Sequence, residues 1–327
     1  MDPQLFEADL HAKPAMLRDL AATLAGGDPW ASLGAVNRVL FVGMGSSTFA
    51  SNACTTRLLA KGFPAMSTLA SSAMLPATKP GDVVIAVSAS GRSKETLAAV
   101  QSFGQVAGHR APIVLLTNDE CVDPDGYAGV VQMQAGVETG GVACRSFQHT
   151  LLQLLALQRH LIGLDRDLPA LVRAVADASE DLLARTDDWL ELATELLIGP
   201  QGTHVVAPAH RLSSAQQSAL MLREGPRRQA YACETGDWSH IDVYLTKTTD
   251  YRMLLLAGSA WDGQAMDWVR ERGSTVVAVG EDVPGARASI RYAGDEDDDV
   301  RLLTETLIAE MVAARLWQAT QADVQPS

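Results

Sequence analysis

Residues 38–62 read RVLFVGMGSSTFASNACTTRLLAKG. The apolar run Val39 to Val42 has the length of a buried strand, GMGSS is a glycine–serine turn, and the rest carries apolar residues at helical spacing. The same grammar returns at residues 81–108, GDVVIAVSASGRSKETLAAVQSFGQVAG, with a strand from Val83 to Val87, a serine–glycine turn and a helix. APIVLLTND supplies a third strand and GVVQM a fourth. Strands that are apolar throughout and alternate with helices predict a parallel sheet covered on both faces.

Outward from that core, the first ~35 residues predict one or two helices. FQHTLLQLLALQRHLIGL predicts a long helix, followed by an acidic helical segment ending near Ile198. The pattern then starts again: GTHVVAPAHRLSSAQQSALMLRE and DYRMLLLAGSAWDGQAMDWVRERG are strand, turn and helix, STVVAVGED is a strand, and VRLLTETLIAEMVAARLWQATQ is a closing helix. The expected fold class is α/β, with two doubly wound, flavodoxin-like parallel-sheet domains flanked by helices. The expected boundaries are N-terminal helices over 1–35, a first domain over 36–165, a helical connection over 166–195 and a second domain over 196–327.

Composition narrows the function. The 327 residues include 26 Lys and Arg against 39 Asp and Glu, a net charge of −13 that repels nucleic-acid backbones. No apolar run has the ~18–20 residues of a membrane span, and MDPQLFEADLHAKPAM has no secretory pattern. The four scattered cysteines include no CxxC pair and fit a reduced, cytoplasmic setting without a zinc site. The run DEDDD, Asp295 to Asp299, precedes an apolar-periodic stretch and reads as solvated charge complementing a helix dipole.

The turn Gly43 to Thr48 stands where a strand hands over to a helix, so backbone N–H groups and a partial positive charge are available to an anion. A dinucleotide site and a plain glycine turn are the alternatives. Thr48 occupies the third-glycine position of the dinucleotide pattern, and FPAMSTLASSAM offers no carboxylate for a ribose. In SASGRSKET, Ser88, Ser90, Ser93 and Thr96 surround Gly91 with hydroxyls that suit a dianion, or Ser93 caps the next helix. Two such turns on adjacent strands favour one shared anionic ligand.

GMGSS, SASGRSKET, LLTND and AGVETGGVACRSF, in that order, resemble the sugar isomerase (SIS) domain family. The tandem arrangement is similar to the isomerase half of glutamine–fructose-6-phosphate aminotransferases and to SIS-type sugar-phosphate isomerases and amino-sugar-phosphate deaminases. The resemblance implies substrate or anion contacts at Gly45, Ser46, Ser47, Ser88, Ser90, Ser93 and Ala143. In SALMLREGP it places the family's proton-transferring glutamate at Glu224. In ETGDWSHID it places the ring-opening histidine at His240, which in relatives reaches the partner subunit's site and so implies a homodimer. The remaining six histidines read as structural or exposed.

The departures from the family pattern are specific. Ala89 replaces a glutamine, Met221 replaces a lysine one turn before Glu224, and QATQADVQPS has no counterpart of the imine-forming lysine. Only ~35 residues precede the first strand, so glutamine-dependent amino transfer is not expected. Arg223, Arg227 and Arg228 form a basic cluster, either surface charge or, through Arg228, a contact to an anionic substrate group. The expectation is a cytoplasmic aldose–ketose isomerase acting on a phosphorylated or otherwise anionic sugar through an enediol, without cofactor or metal. An amino-sugar-phosphate deaminase/isomerase and a non-catalytic sugar-phosphate sensor are the alternatives.

Overall fold

The computed structural model describes residues 1–104 and 111–322. The chain forms two compact units. The first comprises Arg18–Val137 and Arg145–Val172; the second comprises Met1–Leu17, Glu138–Cys144 and the chain from Arg173 onward. Two helices come first, α1 (Pro3–His11) and α2 (Lys13–Ala25). Asp2 starts α1 by accepting N–H bonds from Gln4 and Leu5, both at 2.9 Å.

The first unit contains β1 (Arg38–Gly43), α3 (Ser46–Ala60), β2 (Ala65–Leu69), β3 (Asp82–Val87), α4 (Lys94–Gly104), β4 (Ile113–Thr117), β5 (Gly129–Gln132) and α5 (Arg145–Ile162). Its strands are parallel in the order β2-β1-β3-β4-β5. Leu40, Val42, Val84, Ala86, Ile113 and Leu115 form one buried cluster with Phe103, so these apolar runs are strands covered by helices. The helix expected to continue through GQVAG is described as far as Gly104, and residues 105–108 lie outside the described residues.

Next come α6 (Leu168–Ala184) and α7 (Thr186–Leu197), with α7 ending at Ile198. The second unit's sheet is built from β6 (Thr203–Ala207), β7 (Ala230–Glu234), β8 (Arg252–Leu256), β9 (Thr275–Val279) and β10 (Ala288–Ile290). Its helices include α8 (Leu212–Glu224), α9 (Thr235–Trp238), α10 (Asp262–Glu271), α11 (Asp298–Thr304) and α12 (Thr306–Ala322). The strands are again parallel, in the order β7-β6-β8-β9-β10. Each unit therefore has the doubly wound order in which the second strand lies outside the first and the third beside it.

Three differences from the expected pattern have local causes. β2, β7 and β10 are edge strands with solvent-exposed positions, so they lack the continuous apolar run that marks the others. The single closing helix is two, separated at Glu305, whose carboxylate is bound to the buried Arg211. The DEDDD run is not uniformly solvated. Asp297 caps α11 through the amide of Asp299 at 2.9 Å, whereas Asp295 is buried and accepts two bonds from Arg291, one of them at 2.8 Å from Nη2.

Candidate active site

In the first unit the two predicted turns follow β1 and β3, which are hydrogen-bonded neighbours, so both lie at the carboxyl edge of one sheet. Gly45 adopts φ 52° and ψ −127°, a conformation that a side chain strongly disfavours, and it immediately precedes α3. That start brings Ser46 and Ser47 into the first turn of a 15-residue helix, whose free N–H groups favour negative charge.

The second turn is fastened to β4. The carbonyl of Ala89 accepts from Thr117 Oγ1 at 3.2 Å and from the amide of Asn118 at 3.0 Å. Ser88 is buried, its carbonyl accepting the amide of Gly91 at 3.0 Å. Ser90 is exposed, its hydroxyl accepting the amide of Arg92 at 3.2 Å. Ser93 caps α4: its hydroxyl accepts the amide of Thr96 at 3.3 Å and donates to Glu95 at 3.0 Å. Thr96 Oγ1 also donates to the Ser93 hydroxyl at 3.2 Å. The proton and both lone pairs of Ser93 Oγ therefore have partners within the turn, and a ligand there would have to exchange one of them. Asn118, inside the LLTND motif, donates to Gly136 at 2.7 Å and accepts from the amide of Ala135 at 2.8 Å, pinning the chain beyond β5.

The remaining predicted residues belong to the second unit. Glu224 ends α8 and is half-buried. Burial pushes its carboxyl above the ordinary 4.5; the guanidinium of Arg227 pulls it down and the carboxylate of Glu138 adds to the rise. Arg223, Arg227 and Arg228 are exposed. Of these it is Arg227, held at φ 60°, whose charge acts on Glu224. Met221 is buried one turn before Glu224, its sulfur accepting from Gln217 Nε2 at 3.6 Å. Ala143 presents its carbonyl to Gln217 Nε2 at 2.8 Å. His240 stands exposed in the turn after α9, its amide bonded to the carbonyl of Asp237 at 2.8 Å, with Glu234 capping α9. Residues 323–327, the end of the segment expected to lack the imine-forming lysine, lie outside the described residues.

Sequence reading missed what the second unit does at the edge equivalent to the first unit's turns. After β8 the turn is Ala257-Gly258-Ser259, and the carboxylate of Asp262 accepts the amides of Gly258 at 2.7 Å and Ser259 at 3.0 Å. The fully buried Arg211, just after β6, is bound to Glu305 and pairs with Asp298 at 3.0 Å. Arg301 reaches Glu281 at 2.8 Å in the same cluster. This edge carries its own charges of both signs. A polar cavity of about 690 Å³ in the first unit, lined among others by Asp28, Arg159, His160 and Arg166, contains none of the predicted site residues.

The profile of the SIS domain matches residues 32–159. Glutamine–fructose-6-phosphate aminotransferase [isomerizing] from Aeropyrum pernix is 27% identical over 215 residues, 60% of this chain and 33% of that protein. Its counterpart from Sulfolobus acidocaldarius is 24% identical over 251 residues, 74% of this chain and 41% of that protein. The chain thus spans between a third and about two-fifths of the length of these curated relatives.

Among solved structures, the C-terminal domain of glucosamine-fructose-6-phosphate aminotransferase from Francisella tularensis aligns over 96% of both chains with TM-score 0.75 at 13% identity. Tagatose-6-phosphate ketose/aldose isomerase from Escherichia coli aligns over 97% of this chain and 93% of its own, with TM-score 0.76 at 15% identity. Glucosamine-6-phosphate deaminase from Thermotoga maritima aligns over 97% of this chain and 95% of its own, with TM-score 0.71 at 17% identity. Residues 32–159 thus match the SIS domain, and nearly the whole chain shares the two-sheet fold of these solved structures.

Proposed function

We propose that this chain is an aldose–ketose isomerase acting on a phosphorylated or otherwise anionic sugar, working as a cytoplasmic homodimer. The observation that carries the reading is the pair of turns on β1 and β3, where the Gly45 conformation starts α3 beside the serine-rich turn of Ser88, Ser90 and Ser93. Such a pair suits a dianion held by N–H groups and hydroxyls. Glu224 supports the chemical step: a carboxylate whose burial raises its proton affinity is a stronger base toward a sugar C–H than a solvated one. In this reading, for an aldose, Glu224 removes the proton at C2 to give an enediolate. The hydroxyl proton on O2 passes to O1, and Glu224 returns its proton to C1 as the C2 carbonyl forms; the reverse sequence serves a ketose. His240, from the turn after α9, opens the ring in the site of the partner chain. Ala143 and Arg228 complete the substrate contacts.

The test is solvent-deuterium exchange with fructose 6-phosphate, tagatose 6-phosphate, glucosamine 6-phosphate and a sulfonated hexose. Carbon-bound deuterium at C1 or C2, lost in Glu224→Gln, supports the isomerase. Ammonia release from glucosamine 6-phosphate would replace it by a deaminase. Binding without exchange would make the chain a sensor. Sedimentation at micromolar concentration tests the dimer, which an active monomer would remove.

A further inference from the structure

The segment Glu138–Cys144 belongs to the second unit, although the chain on both sides of it belongs to the first. It is fastened from two directions. On one side stands α1. Asp9, 4% exposed, accepts the amide of Gly140 at 2.7 Å and the hydroxyl of Thr139 at 3.4 Å. The amide of Asp2 donates to the carbonyl of Gly140 at 3.1 Å. The backbones meet so closely that a Cβ on Gly140 would lie 2.4 Å from Phe6 Cα.

On the other side stands α8. Gln217, fully buried, donates to the carbonyl of Ala143 at 2.8 Å. Gln217, Met221 and Glu224 follow one another at spacings of four and three, so they share one helix face. The loop is therefore tied to the face that ends in the candidate base. Its own shape is closed by Glu138, whose carboxylate accepts the amide of Cys144 at 2.7 Å. The anchor α1 is itself fixed on α12: the rings of Phe6 and Trp317 lie 6.1 Å apart, and Gln318 donates to Glu7 at 2.6 Å.

We propose that Asp9 is a positioning residue for Glu224: by holding Thr139 and Gly140 on α1 it fixes the loop that carries Glu138 and that Gln217 ties to the Glu224 face of α8. The inference rests on reading Glu224 as the base. It makes the N-terminal helix part of the catalytic apparatus through a contact 131 residues away in sequence. Without the Asp9 carboxylate the buried amide of Gly140 loses its acceptor, and the loop must relax to find another. Glu138 then leaves its place, and Glu224 loses a repulsive negative neighbour.

The charges acting on Glu224 are those of Arg227 and Glu138. Charged groups on the other elements packed against α8 have partners of their own. Glu310 of α12 is paired with Lys13, Arg211 with Glu305 and Asp298, His210 with Asp298, His204 of β6 with Asp242, and Glu234 of β7 with the amide of Asp237. Arg315 of α12 is exposed.

Titrating ¹³Cδ-glutamate-labelled protein by NMR tests this directly, with Glu224→Gln assigning the resonance. In Asp9→Ala the Glu224 midpoint should fall by about half a pH unit or more, as in Glu138→Gln. The double variant should fall no further than Glu138→Gln alone, because both changes remove one interaction. Asp9→Asn, which keeps one acceptor oxygen, should restore part of the midpoint. Should Asp9→Ala fail to fold, Gln217→Leu releases the loop from its other side and should lower the midpoint likewise. A wild-type midpoint in the folded variants, or additive shifts in the double variant, overturns the proposal. Turnover of Glu224→Gln is a separate readout: full activity there would remove the base assignment and leave the effect of Asp9 on the carboxyl standing.

Discussion

The ammonium of Lys13 lies 2.6 Å from Oε2 of Glu310, with neither side chain more than 1% exposed. The two residues stand 297 positions apart, so this buried pair joins the amino-terminal helices to α12 inside the second unit. Burial makes the pair asymmetric in its consequences. Each charge is costly to desolvate, and each is tolerable only beside the other.

Lys13→Met should accordingly destabilise the protein by about 3–5 kcal/mol, because it strands a buried carboxylate. The double variant Lys13→Met with Glu310→Met should recover most of the loss. Urea unfolding midpoints at constant slope measure both.

The anion-binding reading makes a distinction between two positions. Gly45→Ala forces a side chain into φ 52° and ψ −127°, which should cost about 1–3 kcal/mol and distort the start of α3. Ser90→Ala leaves the backbone alone and removes one hydroxyl, worth about 1.5–3 kcal/mol toward a charged ligand. The melting-temperature rise caused by inorganic phosphate should therefore shrink in both variants, while the ligand-free melting temperature should drop clearly only in Gly45→Ala.

Glu224 gives a pH signature of stability as well as of rate. Its folded carboxyl binds its proton more tightly than the ordinary 4.5, so the native state holds more protons than the unfolded chain between the two values. The contribution is present in full below 4.5 and is lost as pH rises through the raised value. Glu224→Gln abolishes this dependence. The stability of the variant relative to wild type should rise from pH 4.5 upward and then level off. Turnover of the true substrate should fall about 10²–10⁴-fold, the scale of a positioned base.

Thiol chemistry should be sparse in the native state. Cys121 is exposed, whereas Cys54, Cys144 and Cys233 are buried. Burial pushes Cys54 and Cys233 up to about 12 and raises Cys144 too, so their thiolates are scarce at neutral pH. Ellman's reagent at pH 8 should release one equivalent quickly from the folded protein and four in denaturant.

Of the ten strands among the described residues seven were legible: six are central and apolar, as in VLFV, VVIAV, IVLLT and VVAV, and the edge strand GVVQ still carries an apolar pair. AMSTL, AYACE and ASI were not, since an edge strand needs only one buried flank and can alternate with polar residues. The turns at Gly45 and Ser88 to Ser93 were legible for the opposite reason, as glycine and serine are rare choices between two apolar runs. What surrounds Glu224 was not. Gln217 and Ala143, or Asp9 and Gly140, are ordinary residues whose meaning lies in a long-range meeting. The adjacent glycines of ETGG were the one local hint, since the first of them admits no side chain against Phe6. Nothing in KPAMLRDL marks its lysine for burial.

The carboxylate of Asp262, seated on the amides of Gly258 and Ser259, amounts to a counter-ion supplied by the chain itself. A tethered group of this kind acts at an effective concentration on the order of millimolar or above, so a dissolved phosphate gains little by displacing it. The two sheets share one strand order, yet only the first should answer to added anion. Isothermal titration with inorganic phosphate should then saturate at one equivalent per chain, and a dimer should count two ligands where four equivalent sheet edges exist.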